Sequence, residues 1–499
     1  MKKNLFISLA LTAVLFVNAQ QKNTLLEQSF WKNSPDVTIV KAEIAKGNNP
    51  AEANANAFDV TTLAINNDAP IATIKFLLDQ SGNPVNKMTH DNRIYLHWAA
   101  YRGNTELVQY LIAKGSDVNL EDSHGTTPVD FAASNGQSNP ALYEAFFKAG
   151  VNPKKKYQGG ANLLLLAIPA DKDLKAAEYF STKGMSLKDV DNDGNTAFTY
   201  AARTGNIDLL KKLLAKGVKP TDNALLFAAQ GSRRESNTLE TYKYLVEEVK
   251  IKPTAENKAG ENVLYFLAGK PNQTEIVKYF LSKGADANKA NKEGTTPLMI
   301  AASARDTSVL ELLLPLAKNI NSQNLKGESA LTFAVRSGTP EAVSLLLSKG
   351  ADVNVTDKDG NNLGVYLVQS YRPAGRDREA APKQDPFDAK AKLLQDKGLN
   401  LAAAQKDGNT LYHLAIPKND ISLLKKITDL KVDVNAKNKD GLTALHRAAM
   451  VAKDDSILKY LVSVGAKKEV TTEFDESAYA LAKENESLTK NNVSVEFLK

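Results

Sequence analysis

Lys283-Gly-Ala-Asp-Ala-Asn-Lys-Ala-Asn-Lys-Glu-Gly-Thr-Thr-Pro-Leu-Met-Ile-Ala-Ala302 holds the plan of the whole chain. Gly284 suits the left-handed cap that ends a helix, and Pro297 suits the first turn of the next one. Between them lies a polar segment that turns at Glu293-Gly294, where glycine supplies the positive φ of a tight hairpin. The stretch therefore predicts a helix end, a hairpin and a new helix entered through Thr296-Pro297.

Working outward, the third position of a Thr-Pro-Leu-His-x-Ala element recurs as Leu63, Leu96, Val129, Leu164, Phe198, Leu225, Leu264, Leu298, Leu331, Gly364, Tyr412, Leu445 and Tyr479. Successive steps are 33, 33, 35, 34, 27, 39, 34, 33, 33, 48, 33 and 34 residues. Repeats of this length, each a turn followed by two helices, cannot bury their apolar faces alone and must stack. Within one unit, Val343, Leu345, Leu346 and Leu347 form the apolar stripe of a second helix closed by Gly350, and Ala334 keeps the first helix thin.

Thr127-Pro128, Thr296-Pro297, Leu96-His97, Leu445-His446, Gly284-Ala285-Asp286-Ala287-Asn288 and Gly350-Ala351-Asp352-Val353-Asn354 make the chain resemble ankyrin repeats from roughly residue 55 to 485. The resemblance implies an all-α solenoid of about 13 helix-turn-helix units, caps included, with short β-hairpin fingers. Five regions are expected: a leader (1–19), N-terminal capping helices (20–54), a first arm of repeats (55–220), a second arm (221–470) and a C-terminal cap and tail (471–499).

Three steps depart from the period. The 27-residue step into Leu225 leaves no room for a finger after Gly217. The 39-residue step lengthens the turn from Gly231 to Thr238, with Arg233 and Arg234 inside it, and the 48-residue step carries an insertion at about 369–388.

Composition narrows the functional classes. Hydrophobic residues make up 43% and charged residues 24%, and the formal charge of +6 is small for 499 residues, so neither nucleic acid nor an anionic membrane is demanded as partner. The absence of cysteine excludes disulfides and thiolate chemistry. Residues 1–19 read as a secretory signal peptide: Lys2 and Lys3, an apolar run from Leu5 to Val17, then Val17-Asn18-Ala19. Cleavage after Ala19 and export to the periplasm or beyond are expected, leaving 61 basic and 57 acidic residues. A run of 13 apolar residues is short of the roughly 20 that span a bilayer.

Groups that suggest chemistry have plainer roles. His97, His413 and His446 share the fourth position of the repeated element, where an imidazole would bond local backbone and tie turns together. His90 and His124 lie at finger tips, and solvated tips are preferred over a bridging metal. Asp189-Val-Asp191-Asn-Asp193-Gly194 imitates a calcium loop, but Tyr200 stands where the closing acid belongs. The fifth-position aromatics Trp98, Phe131, Tyr200, Phe227, Phe266, Phe333 and Tyr366 are read as core. Serine elbows, phosphate loops and dinucleotide fingerprints are missing, so no enzyme, cofactor or metal is expected.

By the resemblance, the finger tips and the two residues following the first helix's Ala-Ala line a concave face. These are His90, Asp91 and Arg93; Tyr101 and Arg102; Ser123 and His124; Asn192 and Asp193; Arg203 and Thr204; Lys292 and Glu293; Leu325 and Lys326; Arg336 and Ser337; Lys358 and Asp359; Lys406 and Asp407; Lys439 and Asp440; Met450 and Val451. Tyr101 and Arg102 lead, because Tyr and Arg dominate interface energetics. The expected function is a monomeric, non-enzymatic scaffold for a protein or peptide partner. Binding of envelope glycan or a small ligand is the alternative, and a hydrolase the remote one.

Overall fold

The computed structural model describes residues 22–232, 236–373 and 386–499. It contains 28 α-helices that follow one another as antiparallel pairs, and no strand among the described residues. The chain divides into two compact units, one of residues up to Ala201 with Asp208–Lys219, the other of Ala202–Ile207 with Pro220–Lys499.

The opening stretch shows how each unit is made. The helix Thr274–Ser282 ends as expected, with Gly284 at φ 89°. After the turn, Thr296 Oγ1 accepts from Met299 N at 3.3 Å and Pro297 begins the helix Pro297–Ala302. The small Ala301 and Ala302, at most 1% exposed, let neighbouring first helices approach closely. In the second helix Pro340–Ser348, Ala342, Val343, Leu346 and Leu347 are buried, whereas Leu345 is half-buried.

The fingers are shorter than hairpin strands. Five retain single antiparallel bridges, Ala53 to Asp59, Val190 to Thr196, Glu256 to Asn262, Gln323 to Ser329 and Thr471 to Ser477. No finger forms in the 27-residue step: the helix Ile207–Ala215 is followed, through Gly217, by the helix Asn223–Gln230.

The 39-residue step leads into Leu239–Lys243, continued by a π-helical turn at Tyr244–Glu248. Arg233 and Arg234 lie outside the described residues. At the 48-residue step the first helix runs Leu363–Ser370 and the second starts at Pro386, so both ends of the expected insertion are helical and its middle lies outside the described residues.

Helices Gln28–Trp31 and Val37–Ala45 precede the first repeat, with buried Trp31 donating Nε1–H to Leu25 O at 2.9 Å. The tail holds two helices. After Ala478–Glu484, Asn485 donates to Ala449 O and Ala452 O, each at 2.9 Å, and starts a second helix, Glu486–Lys490. The residues expected to form a leader lie outside the described ones.

Candidate interaction face

Many of the fingers are held by their first residue. Asn291 Oδ1 accepts from Glu293 N at 3.0 Å and Thr295 N at 2.9 Å. The same pair of bonds is made by Asn257, Asn324, Asp357 and Asn438 in the second unit and by Asp122 and Asp191 in the first. Asp191 is thus a turn residue, and the calcium-like run is a finger. A glycine follows three residues after each of these; at Gly327 (φ 80°) a Cβ would meet Lys358 N at 2.7 Å.

Fingers within a unit are also laced together through backbone. Lys292 N donates to Ala259 O at 2.8 Å, Leu325 N to Glu293 O at 2.7 Å, Lys358 N to Lys326 O at 2.9 Å and Lys439 N to Asp407 O at 3.0 Å. In the first unit Ser123 N reaches Asp91 O and Asn192 N reaches Gly159 O, each at 2.9 Å. The tips are therefore fixed in register while their side chains stand clear.

The three motif histidines do what their position suggested. His97 Nε2 meets Thr126 O at 3.0 Å, His413 Nε2 meets Leu442 O at 2.9 Å and His446 Nε2 meets Val470 O at 2.9 Å. Their Nδ1 atoms accept from Ile94 N, Thr410 N and Thr443 N. Each ring is thereby fixed as the neutral Nε2–H tautomer, and burial pushes all three pKa values down, that of His97 to about 4.

The fifth-position aromatics divide. Trp98, Phe131, Phe333 and Tyr366 are buried, but Tyr200, Phe227 and Phe266 are half-buried. Several carry a cation: Arg93 lies over Trp98 and Phe131, Arg203 over Phe227, and Arg336 over Phe333 and Tyr366. Two also anchor fingers, Tyr200 through its hydroxyl to Asp191 at 2.9 Å and Tyr366 to Asp357 at 2.7 Å.

Most residues assigned to the interaction face are exposed or half-buried. Arg93 is the correction: it is 5% exposed, its guanidinium bound to Asp122 at 2.8 Å and Asp91 at 3.0 Å, so it braces two fingers instead of meeting a partner. Burial favours a neutral Asp122, but the N–H groups of Thr126 and His124 and the Arg93 charge outweigh it and hold the carboxyl below its ordinary range. His90 and His124 both lie beside Asp91, with Nε2 atoms at 3.5 and 3.3 Å from its Oδ2. Among the described residues no group of three or more metal-binding side chains is arranged to hold an ion.

Tyr101 stacks on Phe131 at 5.5 Å, and Arg102 is clamped through two nitrogens to Asp68. Arg203 Nη2 bonds Gln230 at 3.1 Å, and Arg336 pairs with buried Glu328. Thr204, Ser337, Asn192, Asp193 and Ser123 are exposed, as are Met450 and Val451 at 50% and 52%.

The second unit's fingers have the clearest pattern. Their second tip residue is Lys258, Lys292, Leu325, Lys358, Lys406 and Lys439; their third is Ala259, Glu293, Lys326, Asp359, Asp407 and Asp440. From Lys292 to Asp440 all of these side chains are exposed and none enters an ion pair among the described residues. Between the fingers at Asn291 and Asn324 opens a cavity of about 390 Å³, lined by Tyr265, Glu293, Thr295, Ile300, Asn324, Leu325, Lys326, Glu328, Phe333 and Arg336. Tyr265, Ile300 and Glu328 were missed as site residues; the available signal was Glu328's place two residues after Lys326, and the fourth and fifth positions of the repeated element that Tyr265 and Ile300 hold.

Family models for ankyrin repeats match residues 61–156, 225–324 and 264–357, and again 164–214 and 411–462, together more than half of the chain. The chain belongs to the ankyrin repeat family, whose repeats serve generally as protein-interaction modules and are typically not enzymes. It is similar to the NAD-dependent deacetylase sir2B of Dictyostelium discoideum, 26% identical over 45% of this chain and 25% of that protein. It is similar also to the human transient receptor potential cation channel subfamily A member 1, 28% identical over 38% of this chain and 17% of the channel, and to mouse ankyrin repeat domain-containing protein 53, 28% identical over 36% and 35%. The matches thus span about a third or less of these relatives' own length.

Proposed function

We propose that the chain is an exported, monomeric, non-enzymatic scaffold that holds a protein or peptide along the face made by its finger tips and first helices. The carrying observation is the row of charged tips from Lys292 to Asp440, exposed and without ion pairs on a backbone frame fixed by finger-to-finger hydrogen bonds. Such a frame loses little entropy when a partner docks, so many small contacts add up. It needs no cofactor or metal. The glycan alternative rested on the aromatic series, and burial of Trp98, Phe131 and Tyr366 withdraws those rings from a ligand.

A photo-crosslinking residue at Lys292 or Asp359, used in intact cells, should trap the same protein, whereas one at exposed Lys349, on the turn after a second helix, should not. Equal trapping at Lys349, or none at the tips, would reject the groove. Export is tested separately: the secreted chain should begin at Gln20, and retention of Met1 in the cytoplasm would count against it.

A further inference from the structure

From Lys292 to Asp440 the second unit's tips repeat a basic residue followed by an acidic one, and one finger of this row breaks the rule. At Leu325-Lys326 an apolar side chain replaces the lysine and a lysine replaces the acid. Leu325 is 60% exposed, an unusual position for a leucine on a finger whose neighbours carry charge there. The break coincides with the cavity. Half-buried Tyr265 and Ile300 and buried Phe333 give the cavity an apolar part of its wall, alongside polar Thr295 and Asn324.

Of the four charged groups around it, Glu328 and Arg336 neutralise each other. The other two, Glu293 from one finger and Lys326 from the next, make no ion pair among the described residues. A partly apolar wall between one unpaired carboxylate and one unpaired ammonium defines a complementary occupant.

We propose that this cavity is the anchor subsite of the groove and takes a bulky aliphatic or aromatic side chain of an extended protein segment, flanked by a basic residue facing Glu293 and an acidic residue facing Lys326. This rests on the groove reading above and adds the partner's chemistry to it. The anchor supplies apolar burial, while the flanking charges set the direction in which the segment runs. Glu328 acts indirectly: by holding Arg336 over Phe333 it keeps that guanidinium off the anchor's flanking acid.

The test uses the full chain and a display library of linear 12-residue peptides. Enriched peptides should share Phe, Leu, Ile or Met between a Lys or Arg on one side and an Asp or Glu on the other. A synthetic peptide of this kind should bind at least tenfold more weakly when its anchor is replaced by Ala, or when the exposed Leu325→Ser variant is used. Exchanging the charges, Glu293→Lys with Lys326→Glu, should lose the peptide and accept one whose flanking charges are exchanged. The three substituted side chains, Leu325, Glu293 and Lys326, lie on exposed tips, so circular dichroism should be unchanged.

Enriched peptides without this pattern, indifferent to both variants, would overturn the subsite while leaving the groove to the crosslinking result. Failure to enrich any peptide would overturn it as well. Binding lost in Leu325→Ser, with the Glu293→Lys and Lys326→Glu variant failing to accept the charge-exchanged peptide, would reject the proposed direction.

Discussion

At the scale of single residues, the fourth position of the repeated element shows how burial and titration compete. His97 is fully buried there and neutral, donating to the next finger. Asp130 holds the same position one repeat later, 5% exposed, its Oδ1 accepting from Thr127 N at 2.7 Å. Burial lowers the His97 pKa to about 4 and raises that of Asp130 to about 6. The signs oppose. Between pH 4 and its ordinary 6.5, His97 binds more protons unfolded than folded, so its contribution grows with pH and is lost as pH falls. Asp130 binds more protons when folded between its ordinary 3.8 and about 6, so its contribution holds at low pH and is lost as pH rises. Asp130→Asn keeps an oxygen for Thr127 N and removes the buried charge. Stability of the first unit should rise by roughly 1–3 kcal/mol at pH 8 and change little at pH 4. Urea titrations at both pH values measure it; equal gains at the two would show that buried charge is not the cause.

At the scale of the element, the finger depends on one side chain that holds two amides. Asn291→Ala removes both acceptor bonds from a residue only 9% exposed, and should weaken the finger by about 1–3 kcal/mol. Hydrogen exchange should quicken at the amides of Glu293 and Thr295; unchanged exchange would mean that Gly294 and the backbone ladder suffice. The finger's place was legible from its glycine and the following Thr-Pro, because those residues fix local backbone. Its inner wiring was not, since an Asn or Asp before a glycine signals a turn without naming the amides it accepts. Helix ends at Gly284 and Gly350 and the missing finger before Leu225 could likewise be read directly from spacing. Arg93 could not: two of its partners, Asp122 and Phe131, lie 29 and more residues away and meet it only after stacking. Arg102 with Asp68 is the same case: a position after the first helix's Ala-Ala, read as partner contact, already holds an internal partner. The second tail helix escaped notice because its start depends on Asn485 reaching carbonyls of the preceding repeat.

At the scale of the whole molecule, stability in a stacked array is a sum of repeat terms and neighbour terms, and cooperativity extends only as far as neighbours are coupled. Among the described residues, 197 to 255 form helices and turns but no finger, so the finger-to-finger amide ladder runs within each unit. Each unit also owns its interior: Leu96, Leu111, Phe146 and Phe180 are buried in the first, Leu264, Phe280, Leu331 and Leu424 in the second. A chain built this way need not unfold as one. Its two tryptophans, Trp31 and Trp98, are both in the first unit, both buried, and so report on that unit alone. Far-ultraviolet circular dichroism reports on helices in both. Urea unfolding followed by the two signals should therefore give non-coincident curves, with dichroism changing over a range of urea where tryptophan emission is flat. Acid should sharpen the difference. His413 and His446, neutral through burial, belong to the second unit and lack an Asp130-like counterweight among its motif positions, so lowering the pH below 6.5 should move the dichroism-only part of the curve to lower urea more than the fluorescence transition. Superimposed curves at neutral pH and at pH 5 would instead establish that the two units are coupled into one cooperative solenoid despite the missing finger.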